Sequence, residues 1–264
     1  MSGCQPSDVP KAASTQGRQG GGPLDANSDL IRDLVSANHI LFDQGVLDAF
    51  GHVTVRDPHD SQHFLMCRNM APALVSAEDI MRFRLDGTPV NAEGRKVYLE
   101  RFIHGEIYKA RPDVMAVVHS HSPSVVPFSV VRASPLRAIC HMAAFIGMGA
   151  PVFEIRDTAG DGSSLLVTDN RLGAALARTL ADSQLVLMRG HGSTVVADGL
   201  KKVVYRAVYA EVNARTQLQA SRLGTITFLS PAETQTAMEA VESQVARAWD
   251  LWQKKAELAV SQYK

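Results

Sequence analysis

The 264-residue chain has no run of about 18 consecutive apolar residues, so it offers no helix that could span a bilayer. It has no excess of either charge, since 27 Lys and Arg balance 27 Asp and Glu. A net field that would draw nucleic acid or an anionic membrane surface is therefore missing. Cysteine is scarce: Cys4, Cys67 and Cys140 are too few and too scattered for a disulfide framework. Their odd number fits free thiols in a reducing compartment. The first residues lack the apolar core behind a basic residue that marks a secretory signal. These absences predict a cytoplasmic protein whose partner is a small molecule.

What is present divides the chain into a tail and a body. Residues 1–26 are rich in Gly, Ser, Gln and Pro, with the run Gly20-Gly21-Gly22-Pro23. Such a segment cannot bury enough apolar area to offset its ordering entropy, which predicts a flexible tail. Residues 27–264 have the length of one domain with a sizeable core. Ser28 can cap a helix carrying Leu30, Ile31, Leu34, Val35, Ile40 and Leu41 and ending near Gly45. Residues 52–56 and 62–67 read as strands around the turn Asp57-Pro58-His59-Asp60. Ser76 with Asp79 resembles a capping box before a short helix. A helix over 98–110 stops before Pro112, and another is expected from Ser122-Pro123. Short strands are expected over 152–155 and 165–168, a helix over 171–181, and a strand ending near Met188. Two long helices, about 200–222 and 231–260, carry a Val and Trp stripe that suits a core or a subunit interface. Interleaved strands and helices point to a central sheet covered by helices.

Three histidines stand at strand ends. His119 and His121 close the apolar run Val114-Met115-Ala116-Val117-Val118, and His191 follows Gln184-Leu185-Val186-Leu187-Met188 within Arg189-Gly190-His191-Gly192. Side chains two apart on a strand share a face, so His119 and His121 point the same way. A third imidazole from a second strand end would complete a three-nitrogen site with open positions, the arrangement a catalytic divalent metal requires.

Glu100-Arg101-Phe102, the segment from Arg111-Pro112-Asp113 to His119-Ser120-His121, and Arg189-Gly190-His191-Gly192 together resemble the class II aldolase/adducin family over about residues 28–225. The resemblance implies a three-layer α/β/α sandwich with a mostly antiparallel central sheet. It also implies a homotetramer or homo-octamer with sites between subunits. It matches His119, His121 and His191 to metal ligands for one divalent ion per subunit (Mn, Zn, Fe or Co), and Glu100 to the catalytic acid/base. The chemistry is coherent, since neutral imidazoles leave the ion its full charge and a nearby carboxyl can move a proton.

The departures from the family pattern concern the substrate. Sugar-phosphate members hold the phosphate with a Gly-Asn pair, a Thr-Gly turn and a Ser-Ser pair. Here these places read Gly51-His52, Arg68-Asn69 and Tyr98-Leu99. Arg68 suits a planar carboxylate, and His52 and Tyr98 suit a flat ring or a second carboxylate. His141 falls where the aldolases place a tyrosine that reaches the neighbouring site as a proton donor, work an imidazole can do. The pattern is similar to the aromatic decarboxylase branch, which acts on hydroxy-methylpyridine-dicarboxylate and dihydroxyphthalate. The expectation is a metal-dependent carbon–carbon lyase that decarboxylates a hydroxylated aromatic or heteroaromatic acid. The alternatives are an aldolase on a non-phosphorylated hydroxy-keto acid, a non-haem iron oxygenase, and an adducin-like module without chemistry.

Overall fold

The computed structural model describes Met1 and residues 28–263; the tail expected over 1–26 lies, Met1 apart, outside them. Helix α1, Ser28–Asp43, buries Ile31, Leu34, Ile40 and Leu41 on its apolar face. Strands β1, His52–Arg56, and β2, His63–Cys67, form the expected antiparallel pair, with the Asp57 carboxylate accepting from His59 N–H in the turn. The Ser76–Asp79 signal caps a single 3₁₀ turn, in which Asp79 accepts from both the N–H and the hydroxyl of Ser76. The chain then enters two further strands, β3, Ile80–Arg84, and β4, Pro89–Val90.

Helix α2, Arg101–Ala110, delivers the chain to β5, Ala116–Ser120. It starts three residues later than its periodicity suggests because Tyr98 is held in the loop by Met70, whose carbonyl accepts the phenol proton. A short helix α3, Val126–Val130, follows. It does not begin at Ser122 because Glu211 accepts from the Ser122 hydroxyl and the Ser124 N–H, pinning that turn elsewhere. The second half adds β6, Val152–Phe153; α4, Arg156–Ala159; α5, Asn170–Leu180; β7, Leu185–Met188; and β8, Gly192–Ala197. It ends in α6, Leu200–Leu223; α7, Pro231–Glu242; and α8, Val245–Val260.

The strands form one eight-stranded sheet in the order β4-β3-β2-β1-β5-β8-β7-β6. Among the described residues only β6 and β7 pair in parallel, so the sheet is mostly antiparallel as expected. Helices α2 and α5 pack together over one face, while α1, α6 and α8 cover the other. This is the three-layer α/β/α sandwich, with Val53, Phe64, Val117, Val118, Val186 and Val196 buried in the sheet. The Val and Trp stripe lies in the core of the chain itself: Trp249 is 1% exposed. The expected helix over 231–260 is two helices, with a break at Ser243-Gln244. Residues 165–168 are not a strand; their backbone groups bond to side chains of the site instead of to a ladder. No helix among the described residues is long and apolar enough to cross a membrane.

Candidate metal centre

The sheet register brings the histidines together. In the β1–β5 pair His52 lies opposite His119, and in the β5–β8 pair His119 lies opposite Thr194. Directly opposed side chains share a face, so His52, Thr54 and His119 all point toward the α2 layer. β8 runs so close to β5 that a Cβ on Gly192 would sit 2.1 Å from the Ser120 carbonyl oxygen. Glycine at 192 is what lets the β7–β8 turn press against the end of β5 and deliver His191. His119 Nε2 then lies 3.2 Å from His121 Nε2, which lies 2.9 Å from His191 Nε2. Glu100, at the N-terminal boundary of α2, brings Oε2 to 3.6 Å from His119 Nε2 and 3.4 Å from His191 Nε2. The four ligand atoms all lie within 4.8 Å of one another.

The protons on these rings can be assigned. His119 Nδ1 is 3.1 Å from the Ser193 carbonyl oxygen, and His191 Nδ1 is 3.0 Å from that of Leu165. A carbonyl only accepts, so each Nδ1 carries a hydrogen, and Nε2 is the nitrogen left to hold a lone pair for a ligand. Both lone pairs face His121 Nε2, which has one proton at most to offer them. Burial, reinforced by His119 and His191, pushes His121 down to about 4, so its ring is neutral at physiological pH. Burial would raise the Glu100 carboxyl, but the N–H and positive charge that His119 and His191 offer when protonated outweigh that and hold it well below the usual carboxylate range. Glu100 Oε1 is fixed by the Val167 N–H at 2.9 Å, which leaves Oε2 to face the imidazoles. Three convergent nitrogen lone pairs and a buried anion fit a divalent cation; carbonyl-anchored Nδ1–H groups commonly orient histidine ligands in this way.

The cluster opens on a cavity of about 350 Å³ whose lining includes His52, Tyr98, Leu99, Glu100, His119 and His121. His52 and Tyr98 present ring faces 4.7 Å apart between centroids. The Tyr98 hydroxyl is occupied by Met70, so the tyrosine offers its ring rather than its phenol. Arg68, expected to anchor a carboxylate, is not among the residues lining this cavity of the single chain. Its Nε is paired with Asp79 at 2.6 Å, and the neighbouring Asn69 lines the cavity instead. His141 is exposed at the start of a 3₁₀ segment, His141–Ile146, and does not line the cavity of its own chain. His104 escaped the sequence reading, although its spacing from Tyr108 puts both on one face of α2. His104 is fully buried and bonds to His52.

A mostly antiparallel α/β/α sandwich carries a three-histidine, one-carboxylate cluster at the sheet's end. The chain belongs to the class II aldolase and adducin family: the family described as Class II Aldolase and Adducin N-terminal domain matches residues 32–218. It is 37% identical over 250 residues to the decarboxylase tropJ of Talaromyces stipitatus, covering 86% of this chain and 94% of that one. It is 30% identical to 3,4-dihydroxyphthalate decarboxylase of Arthrobacter keyseri, over 71% of this chain and 77% of the relative. The fold matches L-fuculose 1-phosphate aldolase from Glaciozyma antarctica with a TM-score of 0.73 at 22% identity, covering 94% and 96% of the two chains. The protein is an enzyme of the lyase class.

Proposed function

We propose that this lyase decarboxylates a hydroxylated aromatic or heteroaromatic carboxylic acid, with His119, His121 and His191 holding one divalent ion per subunit. The observation that carries the reading is the opening of the histidine–Glu100 cluster onto a cavity walled by the His52 and Tyr98 rings. The similarity to two decarboxylases, one named for an aromatic dicarboxylate, supports it. Bound at the three imidazoles, a divalent ion supplies positive charge that steadies a phenolate and the carboxylate beside it.

The chain's own residues do the rest. Glu100 is ionised before substrate binds, so it first acts as a base and takes the ring hydroxyl's proton onto its carboxylate. As the ring–carboxylate bond breaks, its electron pair stays on the ring carbon, and Glu100 returns the proton there. The products are carbon dioxide and the phenolate of the ring bearing hydrogen in place of the carboxylate, which takes up a proton from solvent on release. The Val167 N–H keeps Oε1 in place through both transfers. His52 and Tyr98 hold the ring plane. His141, exposed on its own chain, is assigned to a neighbouring subunit's cavity in a homotetramer or homo-octamer, as a second proton donor. The exposed apolar side chains of Phe50 and Leu99 at the cavity suit coverage by that neighbour, which would exclude water. Arg68, tied to Asp79, is left out of the substrate contacts.

The test is a product assay on hydroxy-aromatic mono- and dicarboxylates, hydroxy-keto acids and fuculose phosphate, with dissolved oxygen followed in parallel. Carbon dioxide released from the aromatic acids without oxygen uptake supports the reading. Aldehyde released from a sugar phosphate or a hydroxy-keto acid, with the aromatic acids inert, overturns it.

A further inference from the structure

From the His52 ring a buried chain of hydrogen bonds runs away from the cavity into the layer between β1 and α2. His52 Nδ1 lies 2.7 Å from His104 Nε2, and His104 Nδ1 lies 2.7 Å from Thr54 Oγ1. Thr54 Oγ1 in turn lies 2.8 Å from the Tyr108 phenol oxygen. His104 and Thr54 are fully buried and Tyr108 is 1% exposed. Two ring nitrogens 2.7 Å apart need one N–H and one lone pair between them, so the link between His52 and His104 holds a single hydrogen. Every link holds one hydrogen, and the chain therefore has two self-consistent proton orders that run in opposite directions.

Tyr108 decides between them. In one order Tyr108 donates to Thr54, Thr54 donates to His104 Nδ1, and His104 Nε2–H donates to His52 Nδ1. His52 must then keep its own hydrogen on Nε2. In the reverse order Tyr108 accepts from Thr54, and its own O–H has nowhere to go. Thr54 is its sole hydrogen-bonding partner among the described residues. A buried O–H without an acceptor costs far more than an idle phenol lone pair, which favours the first order by roughly tenfold or more. Burial also holds the Tyr108 phenol well above its usual range, so the hydrogen stays available to donate.

His52 Nε2 has no hydrogen-bonding partner among the described side chains, and its ring lines the cavity beside His119, with centroids 5.1 Å apart. It stands outside the four-residue metal cluster. We infer that the Tyr108–Thr54–His104 chain fixes His52 as a neutral Nε2–H donor that binds an oxygen of the substrate, with the three chain members as positioning residues. The ligand class follows from that polarity. A carboxylate or phenolate oxygen is accepted, and an aromatic amine in the same place meets donor against donor. The inference rests on the proposed carboxylate substrate and sharpens it.

The experiment uses the zinc-loaded full-length protein with ¹⁵N-labelled histidine, whose long-range proton–nitrogen correlations report which ring nitrogen bears hydrogen. Both His52 and His104 are expected in the Nε2–H form, and adding hydroxybenzoate should move the His52 Nε2–H signal. An Nδ1–H pattern on either ring, or an unmoved His52 signal at saturating hydroxybenzoate, overturns the inference. Thr54→Val severs the chain at constant shape. It is expected to weaken hydroxybenzoate binding about 3- to 10-fold with metal content unchanged, and Thr54→Ser should restore it within about twofold. Native affinity in Thr54→Val also overturns the inference. The functional reading fails separately: the Nε2–H pattern with no carbon dioxide release sinks the decarboxylase proposal and leaves the donor assignment standing.

Discussion

Glu100→Gln separates proton transfer from metal holding at one atom. The native carboxylate spends Oε1 on the Val167 N–H at 2.9 Å and turns Oε2 toward the imidazoles of His119 and His191. Glutamine has the same length, so its amide oxygen can keep the Val167 bond, while an NH₂ replaces Oε2. The amide cannot take up or release a proton at neutral pH. The three imidazoles that would hold the ion are unchanged, so metal content should stay near one per subunit. Turnover should fall by about 10²–10⁴-fold, the usual contribution of a positioned general acid or base. That corresponds to roughly 2.8–5.6 kcal/mol added to the barrier at about 1.4 kcal/mol per tenfold. The assay is initial-rate carbon dioxide release, with metal measured by mass spectrometry on the same samples. Full turnover in a metal-replete Glu100→Gln protein would refute the reasoning and move the proton to another group, His141 first.

Further outcomes follow from the same geometry. Replacing His119, His121 or His191 with alanine should strip metal and activity together, which metal analysis after dialysis checks against native protein. Gly192→Ala drives a methyl into the Ser120 carbonyl and the sheet has to part there, so thermal unfolding should show about 1–3 kcal/mol of lost stability together with weaker metal binding. Burial pushes the Cys67 thiol up to about 11 from an ordinary value of 9.0. A raised value favours the folded thiol below its unfolded value, and that stability is lost as pH rises toward about 11. Native protein should therefore lose an increment of stability between about pH 9 and 11 that Cys67→Ala lacks in urea titrations, and Cys67 should resist alkylation near pH 8.

The layers and the His-x-His strand end were legible because they depend on local periodicity: apolar runs closing on histidines, and α1 and α6 with their buried stripes. The site's backbone was not. The segment 165–168 has strand-like residues, but Leu165 adopts a positive φ and its carbonyl anchors His191, while Val167 N–H anchors Glu100. Nothing in a strand pattern signals that its hydrogen bonds go to side chains. Strand β8 was hidden for a related reason. Its hairpin turn is the Arg189-Gly190-His191 motif, which reads as a strand end rather than as a link between two strands. Arg68 suited a carboxylate by residue type alone; Asp79, eleven residues on, lies within ion-pair reach only once β2 and β3 are paired. His104 and Tyr108 carried a usable signal in their spacing, but their partner Thr54 sits on another element.

The central claim is that one divalent ion sits on His119, His121 and His191. X-ray absorption at the metal edge, on protein purified with its native metal and on the His191→Ala variant, tests it most directly. The account predicts a near-stoichiometric ion whose spectrum shows the outer-shell scattering of histidine imidazoles in the native protein, with the ion lost from the variant. A native protein that binds no stoichiometric metal, or a variant that keeps its ion with the same spectrum, would contradict it.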